Sequence, residues 1–250
     1  MTSTINRFDN YIELYDKYRL SYNTKVLNDT IKYIKNPLKK TIADIGSGTG
    51  ILTRQLIKYN FKKIYAIEPN LGMQEYAIKK NTCKKIEYSN ALSFDTKIPT
   101  SSIDIIFIGT AIHWFEPKKT LIEFKRILKK GGYLVNLSMG NVNDISKEVY
   151  NIQRSLIKNT TDIRYEKGLV NYSNNYHVII EKESLKLSEN KFIGLELSQS
   201  IAPVYVKNGD NKIYDSYISE LKNVFANSTK SKSKIILINR TTALISNNLF

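Results

Sequence analysis

The apolar stretch Thr41 to Ile45 runs straight into three glycines spaced by single residues, Gly46, Gly48 and Gly50, and Leu52 to Tyr59 then takes helical spacing. A strand that feeds a helix through so short a loop commits the next strand to a parallel course, because the helix must cross back over the sheet face. The same rhythm continues. Ile64 to Ile67 reads as a second strand, Leu71 to Lys80 as a helix, and Ile86 to Tyr88 as a brief third strand. Ile103 to Ile108 is a run rich in β-branched residues, the pattern of a strand buried on both faces. Lys118 to Leu128, apolar at Leu121, Ile122, Phe124, Ile127 and Leu128, predicts a helix stopped by Gly131-Gly132, with a strand over Tyr133 to Leu137. Strand and helix in alternation mean βαβ crossovers and a sheet covered on both faces.

The flanks are less regular. Ile12 to Ile34 predicts one or two helices with a break around Leu20 to Thr24. Downstream, 144–158 reads as a helix, Val178 to Leu187 as a strand, Lys191 to Gln199 and Tyr214 to Phe225 as helices, and Lys234 to Ile245 as a closing strand. The Ser/Lys run 228–234 is expected as an exposed loop. At ~100–200 residues per domain, 250 residues suit one large domain or one domain with an appendage. One cysteine, Cys83, and two histidines allow no internal disulfide and no Cys/His cluster of zinc-site spacing, so no metal is expected. The polar N-terminus has no signal-peptide core, and no window reaches the ~18 apolar residues of a membrane span, so a cytoplasmic protein without membrane attachment is expected. Lysine and arginine number 38 against 23 acidic residues, a formal charge of +15. The excess is lysine scattered in ones and twos, which fits the bias of an A+T-rich genome better than a nucleic-acid face built of arginine and aromatic rings.

The glycine loop carries the chemistry. Glycines there allow positive φ and a close backbone approach to a ligand, and the helix that follows presents free N–H groups. Glu68 ends the next strand, eighteen residues after Gly50 and near the ~20 expected of a carboxylate that binds both ribose hydroxyls. A 2′-phosphate would be repelled by that charge, so an adenosine-containing ligand with free ribose hydroxyls is favoured. A solvated strand-end acid is the plainer alternative. The spacing is G-x-G-x-G with an acid, Asp44, two residues before the first glycine, and not the G-x-G-x-x-G of dinucleotide enzymes.

With that spacing, Ala43-Asp-Ile-Gly-Ser-Gly-Thr-Gly50 resembles the first motif of class I S-adenosylmethionine-dependent methyltransferases, and Ile67-Glu-Pro-Asn70 the segment after their second strand. Ser89-Asn90-Ala91 is similar to the stretch that passes the adenine. Ile103 to Phe115, ending His113-Trp114-Phe115, resembles strand four, and Phe124 to Leu134 the helix and glycine turn before strand five. Fainter likeness extends to Tyr18-Arg19 and Tyr22, to Leu197-Ser-Gln-Ser200, and to the 212–250 tail.

The resemblance implies a Rossmann-like α/β fold: a seven-stranded, mostly parallel sheet with an antiparallel last strand, helices on both faces, N-terminal helices and C-terminal substrate-cap helices. One domain would fill 1–250, with a helical lid at 1–38, the cofactor core at 39–137, an acceptor cap at 138–230 and the final strand at 231–250. Gly46, Ser47, Gly48 and Gly50 would line the methionine part of S-adenosyl-L-methionine, and Glu68 would hold the ribose. Pro69, Asn70 and Met73 would form one wall of the adenine slot and Asn90 with Ala91 the other. Arg19 would approach the cofactor carboxylate, or stand as a plain surface residue. Thr110 and Ala111 would face the sulfonium.

Transfer from a sulfonium needs donor and nucleophile held within ~3–3.5 Å and water kept out. A base is needed only for an acceptor that must lose a proton. His113 is the candidate by its position after strand four, with packing as the alternative. Tyr22, by position, is expected as a lid, and Tyr22, His113 and Trp114 as acceptor contacts; for Trp114 and Phe115 a place in the core is an equal alternative. His177 has no motif around it and reads as structural. The expected reaction is methylation of an O, N or C atom of a small molecule, with S-adenosyl-L-homocysteine as product, by a monomer or homodimer. Two rivals stand: an RNA or protein methyltransferase, suggested by +15, and a non-catalytic binder of the same cofactor. Against nucleic acid, strand four ends in Gly109-Thr-Ala-Ile-His-Trp114 and not in the Asn/Asp-Pro-Pro-Tyr/Phe motif of many base-amino methyltransferases.

Overall fold

The structure is a computed structural model that describes residues 11–156, 175–199, 211–229 and 233–247. Two compact units form. The sheet unit holds the described residues of 21–139, 175–181 and 241–247; the helical unit holds those of 11–20, 140–156, 182–199, 211–229 and 233–240.

Seven strands lie in the order β3-β2-β1-β4-β5-β7-β6: β1 (Thr41–Ile45), β2 (Lys63–Ile67), β3 (Ile86–Ser89), β4 (Ile103–Gly109), β5 (Leu128–Asn141), β6 (His177–Leu187) and β7 (Ile235–Ser246). The sheet is mixed, with the last strand antiparallel. β1 sits centrally, pairing in parallel with β2 from Thr41↔Lys63 to Ile45↔Ile67 and with β4 from Ile42↔Ile105 to Asp44↔Phe107. Side chains alternate between two cores. Ile42, Ile64, Ile105, Phe107, Val135 and Leu137 point to one face, where they meet Val26, Leu27, Ile31 and Ile34 of α2 (Thr24–Ile34) and Leu52 and Leu56 of α3 (Ile51–Leu56). Ala43, Ile45, Ile67, Ile106, Ile108 and Leu134 point to the other, with Phe124 and Ile127 of α5 (Pro117–Ile127). Burial on both faces is why β4 is apolar from Ile105 to Ile108. Between β2 and β3 runs α4 (Leu71–Lys80).

The helix before β5 ends differently from expectation. α5 stops at Ile127, and Leu128 is already extended and paired with Ile103. The glycines Gly131-Gly132 therefore do not cap the helix; they lie in β5, where the pairing jumps from Ile103↔Leu128 to Ile105↔Tyr133. Gly131 takes φ +73°, and a Cβ on Gly132 would stand 3.0 Å from the Lys129 carbonyl and 3.1 Å from that of Asp104. Both glycines serve this bulge. The break in the first helical stretch falls at 19–23, and Leu52 to Tyr59 divides into α3 and a 3₁₀ turn over Ile57–Tyr59.

The helical unit contains α1 (Ile12–Tyr18), α6 (Asp144–Leu156), α7 (Glu189–Leu197) and α8 (Asn211–Thr229). α8 extends past the predicted Phe225, so the run 228–234 begins in helix; 157, 158 and 230–232 lie outside the described residues. Its core is Val149, Phe192, Leu195, Leu197, Tyr217, Leu221 and Val224 with Ile235 and Leu237. The Tyr217 hydroxyl accepts from the Gln153 amide at 2.7 Å, which satisfies the one polar atom of a fully buried ring. Tyr18 packs flat on Gly194 of α7, where a Cβ would come within 2.4 Å of the ring.

That contact can be tested. Alanine favours a helix interior over glycine by ~1 kcal/mol, yet Gly194→Ala should destabilise the protein by about 1–3 kcal/mol through overpacking against Tyr18. Gly140→Ala meets no atom within 4 Å and should change stability by less than about 0.5 kcal/mol. Denaturant melts of both variants check the contrast.

Candidate functional site

The carboxyl ends of β1, β2 and β4 lie side by side, the edge at which an open parallel sheet binds ligands. After β1 the chain turns under the end of β2: the N–H groups of Gly46 and Ser47 both donate to the Ile67 carbonyl, at 2.9 and 3.0 Å. Gly46, Gly48 and Gly50 have φ of +73°, +55° and +81°, so all three need the left-handed region. Their surroundings differ. A Cβ on Gly46 would stand 2.6 Å from that of Ala111, whereas one on Gly48 would find only the Met73 sulfur, at 3.8 Å. The first glycine is filled by protein, and the second leaves its backbone open.

Glu68 joins the loop to the next turn. Its Oε2 accepts from the Gly48 N–H at 2.8 Å and its Oε1 from the Asn70 N–H at 2.9 Å. Asn70 caps α4 by accepting from the Met73 N–H at 2.7 Å. The Glu68 N–H donates to the Ser89 carbonyl at 3.1 Å, and the Asn90 amide donates to the carbonyls of Glu68 and Pro69 at 2.9 and 3.0 Å. Glu68 is 7% exposed, and burial pushes its carboxyl up to about 7 against the pull of the two N–H groups.

A second carboxyl lies behind the loop. Asp44 is fully buried; its Oδ2 accepts from the Thr53 hydroxyl at 2.6 Å, and its Oδ1 accepts no hydrogen bond from any described residue. Burial raises it to about 7, the Thr53 bond opposing and the charge of Glu68 adding.

β4 ends at Gly109, and the chain turns through Thr110 at φ +51° into a 3₁₀ turn over Ile112–Trp114. Ala111 is buried against Gly46. His113 and Trp114 are partly exposed, their ring centroids 4.7 Å apart and tilted by 47°. Phe115 is buried edge-on to Phe124. Tyr22, expected as a lid, is 5% exposed, with its hydroxyl 3.0 Å from the Thr110 hydroxyl.

The structure thus brings Gly46, Ser47, Gly48, Gly50, Glu68, Pro69, Asn70 and Met73 together. Asn90 is exposed and holds the Glu68-Pro69 backbone, while Ala91 is buried in the sheet core. Arg19 lies in the helical unit, donating to Gln199, with its guanidinium over Tyr15. Sequence reading missed Thr53 on Asp44, Arg54 donating to the Thr49 carbonyl at 2.7 Å, and Gln55, whose amide bonds both the N–H and the carbonyl of Tyr22. No spacing rule marks these; only the fold brings them to their partners. His177 stacks on Tyr33 with centroids 4.1 Å apart. Among the described residues no helix is long and apolar enough to cross a membrane.

Comparison with known proteins agrees with this geometry. Residues 43–136 match the family model for a methyltransferase domain. Over 136 residues the chain is 32% identical to a Dictyostelium discoideum protein that carries a provisional methyltransferase name, covering 54% of this chain and 49% of that one. It is 32% identical over 123 residues to Saccharomyces cerevisiae CRG1, described as a probable S-adenosylmethionine-dependent methyltransferase, covering 47% and 42%. It is 37% identical over 112 residues to the Campylobacter jejuni ubiquinone/menaquinone biosynthesis C-methyltransferase UbiE, covering 42% and 46%. The chain spans about half the length of these relatives, or less. A solved Anaeromyxobacter dehalogenans structure, provisionally described as a type II methyltransferase, shares the fold with a TM-score of 0.67 at 14% identity, covering 92% of this chain and 97% of that one.

The raised carboxyl of Glu68 has a definite sign. A folded value near 7 above an ordinary one near 4.5 means that its favourable contribution is complete below about 4.5 and is lost as pH rises through 7. The melting temperature of Glu68→Gln relative to the unsubstituted protein should therefore rise between pH 5 and pH 8. Parallel melting curves across that range would place Glu68 at its ordinary value.

Proposed function

We propose that residues 43–136, which match the methyltransferase-domain model, form the core of a class I S-adenosylmethionine-dependent methyltransferase, and that the chain is an enzyme that methylates a small molecule. The acceptor atom would be an oxygen, nitrogen or carbon nucleophile, and S-adenosylhomocysteine would be the second product. The observation that carries this proposal is the buried Glu68 carboxylate bonded to the open Gly48 backbone. When bound, S-adenosylmethionine supplies a methyl group already activated on a sulfonium.

The residues present fit such a ligand. Each Glu68 oxygen accepts one backbone N–H, and each keeps a lone pair for a ribose hydroxyl. Asp44 Oδ1 is a buried acceptor without a donor among the described residues, a cost that a cationic ligand at the loop would relieve. Two buried carboxyls beside one loop favour a cation over an anion. Pro69, Asn70 and Met73 flank the loop where an adenine would lie, with the Asn90 side chain across from them. Thr110 and Ala111 face the reacting centre, His113 accepts the proton of an acceptor that must lose one, and Trp114 walls the acceptor.

Calorimetric titration with S-adenosylhomocysteine should show affinity reduced at least about tenfold by Glu68→Ala or Gly48→Val, since one removes charged hydrogen bonds and the other forces a β-branched residue to φ +55°. Unchanged affinity in both would overturn the cofactor assignment. With methyl-labelled S-adenosylmethionine and cell extract, label should enter the small-molecule fraction; label in RNA or protein would overturn the acceptor class. His113→Ala should slow transfer by about 10²–10⁴-fold while leaving S-adenosylhomocysteine affinity unchanged.

A further inference from the structure

Thr110 is in the wrong conformation for its type. A β-branched residue at φ +51° is strained, and glycine would take that turn freely. Glycine instead precedes it, at 109, where φ is not positive. The reason for Gly109 is clearance: a Cβ there would stand 2.6 Å from the Tyr22 hydroxyl oxygen. The ring of Tyr22 thus lies across the end of β4, and its hydroxyl reaches Thr110 Oγ1 at 3.0 Å.

Tyr22 is itself held at both backbone atoms. Its N–H donates to Gln55 Oε1 at 2.9 Å and its carbonyl accepts from Gln55 Nε2 at 2.8 Å, so a single amide of α3 fixes the segment before α2. The Thr110 N–H donates to the Leu137 carbonyl at 2.8 Å, which keeps the chain in the sheet up to the strained residue. Past it, Ala111 lodges against Gly46, and Ile112 and Trp114 pack on the sheet core, so the Thr110 torsions set how the turn enters that packing.

We infer that Tyr22 is a positioning residue: its hydroxyl holds Thr110 in the left-handed turn and so aims the 111–114 segment, with His113 and Trp114, at the edge where the methyl donor is proposed to bind. That role differs from a lid, which would have to be exposed and move. Gln55 anchors the device, Gly109 makes room for it, and Thr110 receives it. The consequence for ligand rests on the proposed function; the consequence for the 111–114 turn does not.

Trp114 is the chain's one tryptophan, so its emission and its quenching by acrylamide report on this turn without any ligand. Tyr22→Phe keeps the ring and its packing and removes only the hydroxyl. It should increase Trp114 quenching and weaken S-adenosylhomocysteine binding about three- to tenfold, the worth of one partly buried hydrogen bond. Thr110→Val should do the same, and the double variant should be no worse than either alone. Thr110→Gly in the Tyr22→Phe background should restore both readouts, because glycine needs no help at φ +51°. A merely structural tyrosine would give no such rescue. Trp114 quenching in Tyr22→Phe equal to that of the unsubstituted protein, or no recovery with Thr110→Gly at an unchanged melting temperature, would overturn the inference. Failure of the unsubstituted protein to bind S-adenosylhomocysteine would overturn the proposed function instead and leave the quenching comparison intact.

Discussion

The site depends on one carboxylate with two backbone donors. Glu68 takes the Gly48 N–H with one oxygen and the Asn70 N–H with the other, and so ties the turn after β1 to the turn after β2. Neither turn belongs to the sheet ladder, so without that bridge their relative position would rest on the two N–H groups given to Ile67. The chain of bonds extends sideways: Glu68 bonds Ser89 through its own N–H, and Asn90 returns two hydrogen bonds to the Glu68-Pro69 backbone. Three successive strand ends are linked by groups that are not strand. Loops made this way keep their geometry without a packed interior of their own.

The two residue types that accomplish this work against stability taken alone. Burial raises Asp44 and Glu68 towards 7, the mark of carboxyls that lose solvation faster than they gain partners. The formal charge of +15 counts both as ionised. Glu196, buried in α7 of the helical unit and likewise raised to about 7 with Arg19 opposing, is a third. Near neutral pH the folded chain is therefore somewhat more positive than its composition states. The lysines do not relieve these groups. Lys25, Lys63, Lys97, Lys129 and Lys147 pair with acids at the surface, where such pairs contribute at most about 1 kcal/mol. Net charge and site charge are thus separate matters in this protein.

How much was legible in the sequence follows from how local each cause is. The strand, the glycine loop and the acid at the end of the next strand lie within one βαβ unit, and β1, β2 and α4 fall where the pattern puts them, α4 residue for residue. The Gly131-Gly132 pair misled because glycine after an amphipathic run signals a helix cap; a bulge opposite Asp104 signals itself only once β4 and β5 are paired. Tyr22 stands out in the sequence by position, as a lid, but its partners do not: Gln55 is 33 residues away and Thr110 is 88 away. Asn90 is picked out by its position after the third strand, but its bond to the backbone of Glu68 is a matter of register between β2 and β3. Arg19 shows the limit from the other side: its motif is local, whereas its partner Gln199 is 180 residues distant.

Several local costs of the sheet unit gather at the carboxyl ends of the central strands: three glycines and Thr110 at positive φ, two buried carboxyls, and an Asp44 oxygen that no described residue bonds. Others lie elsewhere, as Lys35, Asn36, Asn60 and Ser101 also take positive φ. Sequences that fold well satisfy their local rules nearly everywhere, and departures are commonest where a site is built. Some departures are balanced by the protein itself, as Tyr22 balances Thr110 and Thr53 half-balances Asp44. Among the described residues nothing balances the remainder, the second oxygen of Asp44 and the open side of Gly48.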